Sequence, residues 1–204
     1  MLFDAAIITV IAGLLWLFIL RLLHRPLPTS CGKLDFRLAY FFAGAFSVQL
    51  ILALLGMKGV VWAQRIFPAA YVVSYLVLLF AGFHNWRLLG MRIALLGISL
   101  NFLVITANGG HMPANADLVR QTGAVNASLL ENKAYARQRP ITDRSRLTCL
   151  GDVILLPHPY PRPCVFSIGD LFITLGACWL ILSALGLVPQ SCKREIGEAS
   201  ATAS

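Results

Sequence analysis

His111, Asp152 and Asp170 are the side chains of this chain best placed to move a proton or hold a polar ligand, and each sits in a short motif. His111 belongs to NGGHMP, Asp152 to LGD, and Asp170 to FSIGD, where Ser167 precedes it by three residues. Converging in one pocket, they would give a membrane-embedded enzyme its acid–base groups. That reading lacks a nucleophile paired with a base. A metal would need His111 joined by His158, Asp117 or Asp152, and no recognised ligand spacing links these residues, so no metal is expected. No motif names a cofactor.

The same residues have structural work open to them. In Asn108-Gly109-Gly110 a glycine in the left-handed conformation ends a helix, and Pro113 keeps it from resuming. Ser167 and Asp170 fit a capping box, with Ser167 as N-cap and Asp170 at the third helical position, facing the positive end of the helix dipole. The functional reading makes Asn108, Gly109, Gly110, His111 and Met112 one wall of an outer-face pocket. Asp152, Ser167 and Asp170 then meet them there.

The elements that position these motifs are membrane spans. The chain has 204 residues, 58% hydrophobic and 13% charged, whereas a soluble domain carries about 25% charged residues. Five apolar segments of roughly span length are legible: residues 5–20, 38–57, 67–83 (with a possible start as early as Val60), 91–107 and 165–188. The expected fold is therefore an all-α membrane protein of about five transmembrane helices. It divides into a four-helix membrane region (1–107), a long extracytoplasmic loop or cap (108–164), the fifth helix (165–188) and a short disordered cytoplasmic tail (189–204). The start, MLFD, lacks a positive n-region and Arg21 stands where a cleavage site would be, so the first segment reads as retained.

The net charge of +8 does not point to nucleic acid, because the basic residues lie at segment ends and in the long loop, without an aromatic–basic stripe. Near the span ends, Arg21, Arg25, Lys33, Arg37, Arg87, Arg92, Lys193 and Arg194 fall on one side, against Lys58, Arg65, Arg120 and Arg162 on the other. The positive-inside rule then places the protein in the plasma (inner) membrane with its N-terminus outside and its C-terminus in the cytoplasm. Cys149 and Cys164 share the outer loop and are candidates for a disulfide, while Cys31 and Cys192 fall inside. Within the spans the polar residues are mild: Gln49, Tyr71, Ser74, Tyr75, Asn101 and Thr174. Asn101 and Asn108 share a helix face with Gly97 just before, a pattern for interhelical packing.

NFLVITANGGHMP, RLTCLGDVILLP and PRPCVFSIGDLFITLG, in that order, resemble a family of small bacterial polytopic membrane proteins classed as a domain of unknown function. The resemblance covers most of the chain and implies that Asn108, Gly109, Gly110, Met112, Pro113, Gly151, Asp152, Ser167, Gly169 and Asp170 lie in recurring motifs. It implies no activity. The favoured function is a non-enzymatic binding or partner-interaction module whose partners are the lipid bilayer and a further membrane protein or a second copy of the chain. A membrane enzyme using Asp152, Asp170 and His111 is the alternative, and a small transporter subunit is the third reading.

Overall fold

A computed structural model describes residues 9, 11–15, 20–21, 37–123, 128, 130, 137–157 and 163–188. Three apolar stretches fold as α1 (Ala39–Met57), α2 (Val61–His84) and α3 (Leu89–Ala107). Each is long and apolar enough to cross a membrane. There follow β1 (Met112–Ala114), α4 (Ala116–Gln121), β2 (Gln138–Pro140), a single 3-10 turn (Thr148–Leu150), β3 (Ile154–Leu156), β4 (Cys164–Phe166) and α5 (Ile168–Ala184). At 17 residues, α5 is about 25 Å long, apolar but shorter than the hydrocarbon core of about 30 Å.

Apolar side chains cover the outside of the bundle: Val48, Leu50, Trp62, Val73, Phe80 and Leu103 are all exposed. In water such a surface would be an aggregation liability, whereas lipid solvates it. Inside, Phe67, Tyr71, Tyr75 and Leu78 of α2 pack with Ile98, Val104 and Ile105 of α3 and with Met112 of β1. Where α2 turns into α3, Asn85 donates to the carbonyls of Ala81 and Arg37 and accepts from the Arg37 N–H, tying the start of α1 to the end of α2.

The tightest contact joins α3 to α5, antiparallel, through glycines seven apart on each helix. A Cβ on Gly176 would lie 2.5 Å from the Gly90 carbonyl oxygen, and one on Gly90 would lie 2.7 Å from that of Gly176. Gly97 and Gly169 repeat the arrangement two turns on, with Gly97 against the Gly169 carbonyl and Gly169 against the Asn101 amide. Without a hydrophobic drive between helices in lipid, such small residues let backbones approach and let polar side chains bond across.

The structure corrects several expectations. The third segment takes its earlier expected start, at Val61, with Pro68 accommodated inside the helix. The fifth helix loses Val165 and Phe166 to β4, which pairs antiparallel with β3. The fold is mostly helical and not all-α, because the loop also holds short strands: β1 and β2 pair in parallel, Met112 opposite Gln138 and Ala114 opposite Pro140. Of the first segment the described residues are helical, and Thr9 donates to Cys178 Sγ of α5 at 3.1 Å. The Cys149–Cys164 disulfide is not formed. Cys149 is an exposed free thiol on the 3-10 turn, whereas Cys164 opens β4 and faces a cavity, so the two side chains serve different surfaces. Cys31, Cys192, His158 and the tail from 189 lie outside the described residues.

Candidate functional site

The helix stop in NGGHMP is built as its residues dictate. Gly109 and Gly110 adopt φ of 66° and 87°, and the Gly110 N–H reaches back to the Ile105 carbonyl at 2.8 Å. Pro113 then directs the chain into β1, all of it buried. The Asp152 N–H bonds the Pro113 carbonyl at 2.9 Å and the Asn115 N–H bonds the Asp152 carbonyl at 3.1 Å. β1 therefore lies between β2 on one side and residue 152 on the other, and NGGHMP and LGD meet through their backbones.

The Ser167–Asp170 capping box is also present. The Asp170 N–H donates to Ser167 Oγ at 3.0 Å, and the Ser167 N–H points to Asp170 Oδ2 at 3.5 Å. Capping does not exhaust these side chains. Buried Asn101 of α3 donates to Asp170 Oδ1 at 2.8 Å, while its own carbonyl oxygen accepts from Ser167 Oγ at 2.9 Å. The guanidinium of Arg137 approaches Asp170 Oδ2 at 3.5 Å.

Arg137 comes from the loop, and its side chain is partly exposed. Together with Asp170 it faces a half-enclosed cavity of about 240 Å³. Tyr71 and Tyr75 of α2, Gln49 of α1 and Thr174 of α5 supply its remaining polar lining. Phe46, Val165, Phe166 and Ile173 form apolar walls. Tyr71 and Tyr75 stand edge to face with ring centroids 5.3 Å apart, and Gln49 Nε2 donates to Ser74 Oγ at 2.6 Å. Arg137 Nε is buried and has no hydrogen-bond partner among the described residues. The Tyr71 phenol, then Asp170, Asp152 and Tyr75, hold the Arg137 guanidinium charged well above its usual range, against the burial that opposes it.

Asp152 is not among the residues lining this cavity and is fully buried. Its Oδ2 accepts from Gln138 Nε2, and its Oδ1 has no partner among the described residues. Burial pushes its carboxyl up to about 6, and Asp170 adds to this, while Arg137 and the Gln138 hydrogen bond pull the other way. Folding therefore favours the protonated form, and the stability it brings is present below the ordinary value of 3.8 and lost as pH rises through about 6. The full swing is at most about 3 kcal/mol. Thermal denaturation of the detergent-solubilised protein is expected to show a melting temperature that drops between pH 4 and pH 7. In Asp152→Asn, where an amide replaces the ionisable carboxyl, the drop should vanish. Parallel drops in both proteins would assign the effect to another group.

The residues singled out from sequence thus separate. Asp170 and Ser167 belong to the network with Asn101, Asp152 is buried beside Gln138, and Gly109, Gly110 and Met112 shape the backbone. His111 and Asn108 line a different groove, together with Pro113. Among the described residues no three of His, Cys, Asp and Glu come together as a metal requires. Nothing local in the sequence marks Gln138, or sets Arg137 apart from the other loop charges. Gln49, Tyr71, Tyr75 and Thr174 were legible as polar residues in spans, but nothing local showed that they face one another.

No solved structure matches this chain. It is 25% identical over 144 residues to an uncharacterized protein of Thermotoga maritima, covering 71% of this chain and 73% of that protein. The family model described as a family of unknown function, DUF5317, matches residues 33–182. That match takes in all three apolar helices, the loop with its two strand pairs and nearly all of α5, so the chain belongs to the DUF5317 family.

Proposed function

We propose that this protein is a five-span integral membrane protein, N-terminus outside and tail in the cytoplasm, that binds a small polar ligand in the cavity between α1, α2 and α5. One observation carries the reading: an arginine from the loop, 3.5 Å from Asp170, lines a cavity among the helices together with Tyr71 and Tyr75. A partly exposed guanidinium suits a ligand carboxylate or similar acceptor, and the tyrosines suit its polar neighbours. At about 240 Å³ the space fits a small molecule or the head of a larger one, being below the roughly 300–1,000 Å³ of sites for drug-sized ligands.

Binding is favoured over catalysis because the acid–base groups are dispersed. His111 lies in another groove, and Asp152 is sealed behind β1. Protein purified in mild detergent should carry a small polar compound, identified by mass spectrometry after denaturation. Arg137→Gln should lose at least about tenfold of it, as hydrogen bonds to a charged group predict, and His111→Ala should retain it. A wild-type protein carrying nothing that Arg137→Gln lacks would end the binding reading. Should His111→Ala instead abolish function in folded, inserted protein, the enzyme reading takes its place.

The orientation is testable with the exposed Cys149 thiol. In intact cells a membrane-impermeant maleimide should label Cys149, while Cys192 should react only after permeabilisation. The reverse pattern would invert the topology.

A further inference from the structure

We propose a second site, independent of the cavity: the groove beside NGGHMP binds a phosphate group of net negative charge through Arg139, Arg144 and Arg146. The groove measures about 570 Å³ and is lined by these three arginines together with Asn108, His111 and Ser145. Arg144 and Arg146 are exposed and Arg139 is partly so. Among the described residues the ion pairs are Arg120–Asp117 and Arg137–Asp170, so none of the three groove arginines has an acidic partner there. Asp143, which stands between them in sequence, is in neither pair. Three guanidiniums sharing one groove repel each other unless an anion joins them, and their planar forks match phosphate oxygens two at a time.

The backbone holds this charge in place. The turn over residues 142–145 is closed by the Ser145 N–H on the Thr142 carbonyl at 2.9 Å and the Thr142 N–H on Ser145 Oγ at 3.0 Å. Asn108, at the end of α3, donates to the Arg146 carbonyl at 2.8 Å and accepts from the Arg146 N–H at 2.9 Å. Both ends of the Asn108 amide are thus spent on anchoring the arginine turn, which makes it scaffold and not ligand. The next residue, Leu147, has φ of 53° and is 46% exposed. A leucine in the left-handed region is strained, yet here it buries little in exchange. An exposed leucine beside exposed arginines, at the end of an apolar helix, suits the boundary between phospholipid headgroups and acyl chains.

The plainer account is that the arginines only balance the negative end of the α3 dipole. Under that account they have no preference for phosphate, and binding distinguishes the two. The full chain in detergent is titrated with phosphatidylglycerol, phosphatidylcholine or inorganic phosphate, and retained ligand is counted by native mass spectrometry. Phosphatidylglycerol is expected to bind at least about tenfold more tightly than phosphatidylcholine. The double variant Arg144→Gln, Arg146→Gln should lose at least about tenfold of that affinity, and the double lysine variant should recover part of it. Arg120→Gln removes one positive charge elsewhere and should change nothing. If inorganic phosphate displaces the lipid, the site serves a free phosphate. If it does not, the site serves the lipid headgroup. The proposal fails if neither probe is preferred over phosphatidylcholine, or if Arg120→Gln weakens binding as much as the groove variants do. Arg137→Gln leaves this groove intact, so failure here and failure at the cavity are distinguishable.

Discussion

Gly97→Leu is expected to abolish folded protein in the membrane. At this point in the α3–α5 crossing a Cβ would overlap the Gly169 carbonyl oxygen and press on Ile173, its backbone N–H included. Neither the carbonyl nor the N–H is the free end of a flexible side chain, so the helices themselves must separate. Separation costs more than packing, since Asn101, one turn along, bonds both Ser167 and Asp170 on α5. Pulling the helices apart strands the buried Asn101 amide at both its ends, while Ser167 and Asp170 keep only their capping bonds and Arg137. Overpacking alone costs about 1–3 kcal/mol, and each orphaned buried partner adds about 1–3 kcal/mol. The sum reaches the few kcal/mol that hold a typical domain folded. The monodisperse fraction after detergent extraction, read by size-exclusion chromatography, should fall to a small part of wild type. Gly97→Ala should be milder but still damaging. Gly44→Leu is the control: this α1 glycine has nothing within 4 Å of its would-be Cβ, and the substitution should leave yield unchanged or raised. A soluble, monodisperse Gly97→Leu protein would show that α3 and α5 are not held at glycine distance.

This crossing also shows where sequence reading stops. The apolar runs forming α1 and α3 are legible to within two residues, because a span is a continuous local signal. The glycine stop after α3 and the capping box before α5 are legible for the same reason: each is a contract among residues no more than five apart. Gly97 and Asn101 are visible as a small and amide face, but their partners Gly169, Ser167 and Asp170 lie some 70 residues on, across a loop of weak pattern. No period links the two. The strands are three residues each, too short to leave an alternation. Arg137 is hidden for a related reason. What makes it special is that β2 begins beside it and pairs with β1, carrying its side chain over the mouth of the bundle. In sequence it is one of several basic residues in a loop. Cys149 and Cys164 mislead in the opposite sense, since shared location in a loop says nothing of whether two thiols approach.

The two glycines of NGGHMP are expected to respond very differently, although both have positive φ. Gly109 is exposed, and a Cβ built on it meets nothing within 4 Å. Gly109→Ala therefore faces only the left-handed backbone penalty, about 1–2 kcal/mol, and Gly109→Asn should cost less, since asparagine tolerates that region. Gly110 is buried against α2, and its Cβ would lie 2.6 Å from both Pro68 Cβ and the Pro68 carbonyl oxygen, with Pro68 Cα at 2.7 Å. Gly110→Ala must pay the same φ penalty and also push α3's end away from α2, for a total of about 3 kcal/mol or more. Trimming the neighbour cannot help, because Pro68→Ala leaves the carbonyl oxygen, Cα and Cβ in place. The displacement would also travel to the cavity beside Arg137, since Phe67 and Tyr71 of α2 lie near Pro68 in the same buried core and Tyr71 lines that cavity. Under mild conditions Gly110→Ala should lose the compound bound at Arg137 while still inserting in the membrane, and on heating it should melt well before Gly109→Ala. Equal melting temperatures for the two alanine variants would mean that the α3 terminus does not bear on Pro68. The junction would then be a helix ending only, with no mechanical connection to the cavity one turn below.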